Sequence, residues 1–197
     1  MDSNGINETK ILIVCALEIE TQGQLDDWDV IYTGVGKINA TMKLVDRLTD
    51  YNYARPELVI NYGTAGSRKI KKKTLVDCTK FVQRDMDVTG LGFMRGETPF
   101  ENDVPLMLDF GITKHNPIGR RATCGSGDSF VEDRTQYYGE VVDMEAYALA
   151  KVCYRYDIPF VSFKYITDGA DEQAHEDWEA NLAQGIIEFK EQILSKV

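Results

Sequence analysis

The sequence predicts an α/β fold, a single three-layer α/β/α domain with a central mixed, largely parallel twisted sheet. Three observations predict it. Lys10 to Ala16 (KILIVCA) is an unbroken apolar run, the pattern of a strand buried on both faces. Strand-like and helix-like segments then alternate, as crossovers between parallel strands require. Near the C-terminus, Trp178, Leu182, Ile186, Phe189 and Ile193 recur at three and four residues, one apolar helical stripe.

The elements follow in order. Trp28 to Thr33 is a second strand candidate, broken by Gly34-Val35-Gly36. Ile38, Met42, Val45 and Leu48 then keep helical spacing until Arg55-Pro56 ends the connection. Leu58 to Asn61 is strand-like and runs into Tyr62-Gly63-Thr64-Ala65-Gly66-Ser67; Thr74 to Val82 is the next strand. Arg84 to Phe110 is rich in Gly, Pro and Asp and reads as long loops with short strands. Ile118 to Cys124 is a strand candidate ending in Gly125-Ser126-Gly127-Asp128. Ala146 to Tyr156 is helix-like, Phe160 to Ile166 strand-like, and the apolar stripe predicts one last helix. No repeat, low-complexity tract or linker divides the chain, so 1–197 reads as one domain with a flexible 1–9.

Composition narrows the function. The chain has 197 residues, 43% of them hydrophobic, enough for a sizeable core. No apolar run approaches the roughly 20 residues of a membrane span, and Met1 to Lys10 lacks the apolar centre of a signal peptide, so a cytoplasmic protein without membrane contact is expected. The net charge of −10 argues against a nucleic-acid surface. The one basic cluster, Arg68-Lys69-Ile70-Lys71-Lys72-Lys73, lies between a Gly-rich turn and a strand and reads as a solvated connection. Cys15, Cys78, Cys124 and Cys153 form no CxxC pair and read as buried reduced thiols. With two histidines, no HExxH and no Cys/His cluster, neither metal nor cofactor is expected.

The chemistry concentrates in two stretches, Val142-Asp143-Met144-Glu145-Ala146 and Ile166-Thr167-Asp168-Gly169-Ala170-Asp171. Each puts a carboxylate at the edge of an apolar element, where burial shifts its pKa and a ligand can reach it. Other polar groups fall at strand ends: Glu18 and Glu20, Thr64, Ser126 and Asp128. In open α/β sheets, ligands sit beyond the carboxyl ends of the strands.

These pieces, in order, resemble the nucleoside phosphorylase superfamily, and most closely its hydrolytic branch, the 5′-methylthioadenosine/S-adenosylhomocysteine nucleosidases. The segments that carry the resemblance are ILIVCALEIE at 11–20, YTGVGKINAT at 32–41, VINYGTAGS at 59–67, DVTGLGF at 87–93, CGSGDSFV at 124–131, VVDMEAYALAKVC at 141–153 and PFVSFKYITDGAD at 159–171. The resemblance implies hydrolysis of the N9–C1′ bond of an adenine nucleoside through an oxocarbenium-like transition state, without a cofactor. By position, Asp168 resembles the acid that protonates adenine N7. Glu20 resembles the residue that activates water, with Glu18 a close competitor. Glu145 resembles the carboxylate that accepts the ribose 2′ and 3′ hydroxyls. Met144 would pack on the sugar, Phe130 would stack on adenine, and the Val131 backbone would read the base edge. Thr64, with the amides of Ala65 and Gly66, would line the pocket near the water; Asp143, Ser126 and Lys164 belong to the same substrate-binding set. Val88, Leu91, Phe93 and Pro99 match a loop that closes the 5′ pocket of a neighbouring subunit, which implies a homodimer.

A phosphorylase would hold its anionic nucleophile with arginines near the first strand's end and before the Gly-Thr turn. This chain has Ala16-Leu17-Glu18-Ile19-Glu20 and Asn61-Tyr62 there, and carboxylates repel phosphate. The alternatives that stay open are a purine nucleoside phosphorylase, another N-glycosidase of the same fold, and a non-catalytic binder. Three departures stand out: a short segment between Glu20 and Tyr32, which trims the sheet; Lys164 where the family often has arginine; and the unusual Tyr62 and Gly169.

Overall fold

The computed structural model describes residues 10–111, 114–133, 135 and 138–197; the stretch 1–9, expected to be flexible, lies outside them. The first strand, β1 (Ile11–Cys15), is buried along its whole length. Leu12 and Val14 enter one core cluster, and Ile11, Ile13 and Cys15 enter another. This is the period of two of a strand covered on both faces. Next come α1 (Glu18–Thr21), β2 (Val30–Tyr32), α2 (Lys37–Thr49), β3 (Leu58–Gly66), β4 (Leu75–Gln83), β5 (Leu108–Asp109) and β6 (Ala122–Ser126). The chain continues through β7 (Val141–Asp143), α3 (Ala146–Tyr156), β8 (Phe160–Asp168), α4 (Ala174–Asn181) and α5 (Gln184–Gln192).

Among the described residues the strands form a single mixed sheet, the core of a mixed α/β domain. β1 pairs in parallel with β2 and β3. β3 is parallel to β8 and antiparallel to β7, β7 is parallel to β6, and β6 is parallel to β4. β4 then runs antiparallel to both β8 and β5. So β3, β7, β6, β4 and β8 close into a ring, with β1 and β2 extending from one side and β5 from another. The sheet is less uniformly parallel than the alternation of segments predicts. The connection from β3 to β4, residues 67–74, is too short for a crossover helix and must reverse the chain. It carries the basic cluster, with Ile70 buried in the core.

Three local expectations change, and one strand was not foreseen. Only half of the apolar stripe of α2 meets the core: Val45 and Leu48 pack against it beside the buried Ala40 and Leu44, while Ile38 and Met42 are 72% and 60% exposed. The strand expected from Ile118 starts at Ala122, because the amides of Arg120 and Arg121 and the side chain of Asn116 donate to the buried Asp77 carboxylate instead of to a ladder. β7 is too short to show any period in the sequence. The single helix expected over the stripe from Trp178 to Ile193 is two helices, interrupted at Leu182 and Ala183. Its halves answer to different anchors. Trp178 reaches Thr64, while Gly185 lies flat on Tyr62 and Tyr165, where a Cβ would fall 2.7 Å from either side chain. Tyr62 stacks on Phe189 with ring centroids 4.5 Å apart, which gives this residue a packing role. All four cysteines are free and buried. Among the described residues there is no cluster suited to a metal and no helix long and apolar enough to cross a membrane.

Candidate active site

The carboxyl ends of β3, β7 and β8 and the start of α1 surround a cavity of about 390 Å³. Of the residues singled out from the sequence, Glu20, Thr64, Ala65, Gly66, Phe130, Val131, Asp143, Met144, Glu145 and Asp168 line it.

Glu20 is buried at 4% exposure, whereas Glu18, on the same short helix, is exposed. Of the two glutamates, Glu20 is the one that lines the cavity. Glu20 Oε1 accepts bonds from the Thr64 amide and the Thr64 hydroxyl, both at 2.8 Å. Its Oε2 accepts from the Leu17 amide at 3.2 Å, half of a capping box. The close approach depends on Gly63, where a Cβ would lie 3.3 Å from Glu20 Oε1.

Glu145 precedes α3 and points back to α2, where the Gly36 amide donates to Oε1 at 2.8 Å. The Gly34-Val35-Gly36 break thus supplies a helix-N-terminal donor at a φ of 95°, which favours glycine at position 36. Burial first, then repulsion from Asp143, pushes the Glu145 carboxyl up to about 7, against the pull of Lys164 and the Gly36 amide.

Asp143 faces the other way. Its Oδ2 pairs with Lys164 Nζ at 2.8 Å and accepts from the Ala146 amide at 2.9 Å, capping α3. Its Oδ1 accepts from Ser126 Oγ at 2.5 Å, and Ser126 Oγ accepts in turn from the Tyr147 amide. Burial alone would raise Asp143; the Lys164 ammonium overrides it and holds this carboxyl below its usual range. Ser126 and Lys164 are thereby corrected: they stand behind Asp143 and do not line the cavity, because their polar atoms are spent on that carboxylate.

Asp168, at the end of β8, is 3% exposed. Oδ1 accepts from the Ala170 amide and Oδ2 from the Thr167 hydroxyl, each at 2.9 Å. Burial raises this carboxyl above its usual value despite both bonds, and Asp171 and Asp177 add to the rise. Gly66 makes room for it: a Cβ there would lie 2.5 Å from Asp168 Oδ1.

Three contributors were not legible as site residues. Arg84, buried after β4, holds the loop that carries Phe130 and Val131 by donating to the carbonyls of Gly127 and Ser129 and to Ser129 Oγ. His175 and Trp178, on α4, line the wall near Asp168. Only the apolar stripe touched Trp178, and it spoke for the core. The loop residues Val88, Leu91, Phe93 and Pro99 are absent from this cavity's lining. Leu91 is 75% exposed, and Phe93 meets Phe100 edge to face at 5.6 Å.

The buried trio of Asp143, Glu145 and Lys164 holds two carboxyls and one ammonium, which yields a stability prediction. Glu145 has a folded-state pKa above its unfolded value, so the native state binds its proton more tightly. The stability this lends is present below pH 4.5 and is lost as pH rises through about 7. Glu145→Gln keeps an acceptor for Gly36 and removes the charge. The variant is expected to gain about 2 kcal/mol over the parent at pH 8. The gain fades as pH falls toward 5, as thermal melts across that range would show.

A family model described as the phosphorylase superfamily matches residues 21–195. The 5′-methylthioadenosine/S-adenosylhomocysteine nucleosidase of Haemophilus influenzae (strain PittEE) is 32% identical over 181 residues, covering 82% of this chain and 77% of the relative. Among solved structures, the corresponding nucleosidase of Helicobacter pylori superposes with a TM-score of 0.80 at 20% identity, covering 96% of this chain and 99% of that one. Futalosine hydrolase of Helicobacter pylori superposes at 0.79, also with 20% identity, over 96% and 98% of the two chains. At that identity the two structures speak for the fold, while the family model and the sequence relative speak for descent. The chain belongs to the phosphorylase superfamily and, within it, to the family of the 5′-methylthioadenosine/S-adenosylhomocysteine nucleosidases.

Proposed function

We propose that the protein hydrolyses the N-ribosidic bond of an adenine nucleoside of the 5′-methylthioadenosine or S-adenosylhomocysteine type, giving adenine and the free ribose derivative. The observation that carries this reading is the arrangement of Glu20, Glu145 and Asp168 around one cavity, each buried and each in a different electrostatic setting. Asp168, raised by burial, gives its proton to adenine N7 as the N9–C1′ bond breaks, so adenine leaves neutral. Glu20 takes a proton from the water whose oxygen bonds to C1′; its hydrogen bonds hold it in place for that task. Glu145 receives the ribose hydroxyls, Met144 packs on the sugar, Phe130 stacks on the base and the Val131 backbone meets the base edge. Thr64, Ala65 and Gly66 form the wall beside the water, and Asp143 positions α3 and with it Glu145.

The same reading disfavours phosphate. Four carboxylates line the cavity, and the Arg84 guanidinium, the cation on its wall, is committed to carbonyls of the 127–129 turn. It takes residues 1–197 as one domain and the two core layers, under α2 and α3 and under α5, as the three-layer plan. It takes the exposed Leu91 loop, with Val88, Phe93 and Pro99, as the part that completes the 5′ pocket of a second copy. The bare Ile38 and Met42 of α2 are apolar surface that a homodimer would cover. A reducing cytoplasm suits the four free thiols, and adenine and a 5-thioribose are products that purine and methionine salvage would consume.

Adenine release from 5′-methylthioadenosine, S-adenosylhomocysteine, 5′-deoxyadenosine and adenosine, each with and without phosphate, tests the proposal. Release that ignores phosphate, fastest from a 5′-thio substrate, is expected. Release only with phosphate would make the enzyme a phosphorylase and overturn the role of Glu20.

A further inference from the structure

We infer that Trp178 is a positioning residue for the water-activating carboxylate: through the Thr64 hydroxyl, its indole decides which oxygen of Glu20 is left open to take a proton. The inference rests on the reading of Glu20 given above and adds a residue to it. An indole N–H can only donate. Trp178 Nε1 donates to Thr64 Oγ1 at 2.9 Å, across most of the chain's length in sequence. A threonine hydroxyl has one proton. With Oγ1 accepting from the indole, that proton is turned to Glu20 Oε1, 2.8 Å away. The Thr64 amide donates to the same oxygen at 2.8 Å. Oε1 thus carries two short bonds, and Oε2 carries one longer bond from Leu17 at 3.2 Å. The two oxygens are made unequal, and Oε2 keeps lone-pair capacity for a water proton.

Without the indole the Thr64 hydroxyl keeps Glu20 Oε1 as an acceptor but loses the second partner that fixes its rotation. Its proton can swing into the cavity and compete for the water that Glu20 must hold. The fold fixes the indole for this purpose: Asn181, one turn further along α4, donates to the Thr167 carbonyl of β8 at 2.8 Å and clamps the helix beside the site. Trp178 sits only partly buried on the cavity wall, so packing alone does not account for its placement.

Trp178→Phe keeps the ring and removes the N–H. The expected result is a fall in kcat of about tenfold with KM changed less than about twofold. In a Thr64→Val background the same change is expected to have no further effect, because the hydroxyl it acts through is gone. A role in packing alone would cost the same in both backgrounds or act on KM, and either result overturns the inference. A second readout needs no turnover. The chain has two tryptophans, so two indole N–H signals appear in a 1H–15N spectrum. The Trp178 signal is expected to be protected from exchange and to lose that protection in Thr64→Val; a signal indifferent to Thr64 overturns the inference even if Trp178→Phe fails to fold. Should Glu20→Ala keep its turnover, the reading of Glu20 fails. Should Glu20→Ala be inactive and Trp178→Phe unchanged, the positioning inference alone fails.

Discussion

Asp168→Asn is expected to lower turnover of 5′-methylthioadenosine by about a thousandfold, the scale of a lost general acid. Nucleoside binding stays measurable. The change removes the transferable proton and almost no volume. The surroundings accept an amide: Asn Oδ1 can keep the Ala170 bond, and the amide NH2 can donate to the Thr167 hydroxyl, which turns toward the Ala65 carbonyl already within 3.4 Å. The Gly66 contact that admits the aspartate admits the isostere as well. Steady-state rates with a parallel measurement of nucleoside affinity separate the two effects. A variant that keeps most of its turnover removes Asp168 from the acid's role and leaves Glu145, the other carboxyl on the cavity raised by its surroundings, as the group to examine.

Glu20→Ala is expected to lose about a thousandfold in kcat as well, with the fold intact. The Thr64 amide and hydroxyl lose their acceptor, and water in the enlarged cavity replaces it. Glu18→Ala is the internal control. Glu18 is on the solvent side of the same four-residue helix, so its removal should change kcat less than about twofold. The reverse pattern, an inactive Glu18 variant and an active Glu20 variant, would show that the water lies on the other face of α1.

Glu145 and Asp168 were legible as candidates because each borders an apolar element, which predicts its own burial; Glu20 was legible through the family resemblance. The resemblance put Glu20 ahead of Glu18, but the physical reason, the direction of α1 that buries one and exposes the other, is visible only in the fold. Gly36, Arg84 and Trp178 were invisible as partners for a common reason. Each acts across the chain, on Glu145, on the 127–129 turn and on Thr64, and no local spacing records such a pairing. Lys164 shows the opposite case: the residue type was noticed, but its partner, Asp143, became apparent only when β7 and β8 were brought together. The apolar stripe of α2 holds for Val45 and Leu48, which pack on the core, but Ile38 and Met42 keep the same helical spacing on a face the domain leaves bare. The terminal stripe ran straight across a helix break for a similar reason. Leu182, Ile186, Phe189 and Ile193 are all buried, whichever of two axes they follow.

The closed ring of strands has a consequence for how the chain reaches its native state. β8 lies between β3 and β4 and pairs with both, yet in chain order it comes after all the other strands described. Until Phe160–Asp168 arrives, the edges of β3 and β4 that face it stay unpaired and the ring stays open, although the other strands can already pair along one continuous path. Contacts of such long sequence separation make for slow assembly, and bare strand edges invite pairing with other chains in the meantime. The segment that carries Asp168 to the cavity is therefore also the one that closes the ring, so the site is completed in the same event that covers the two bare edges.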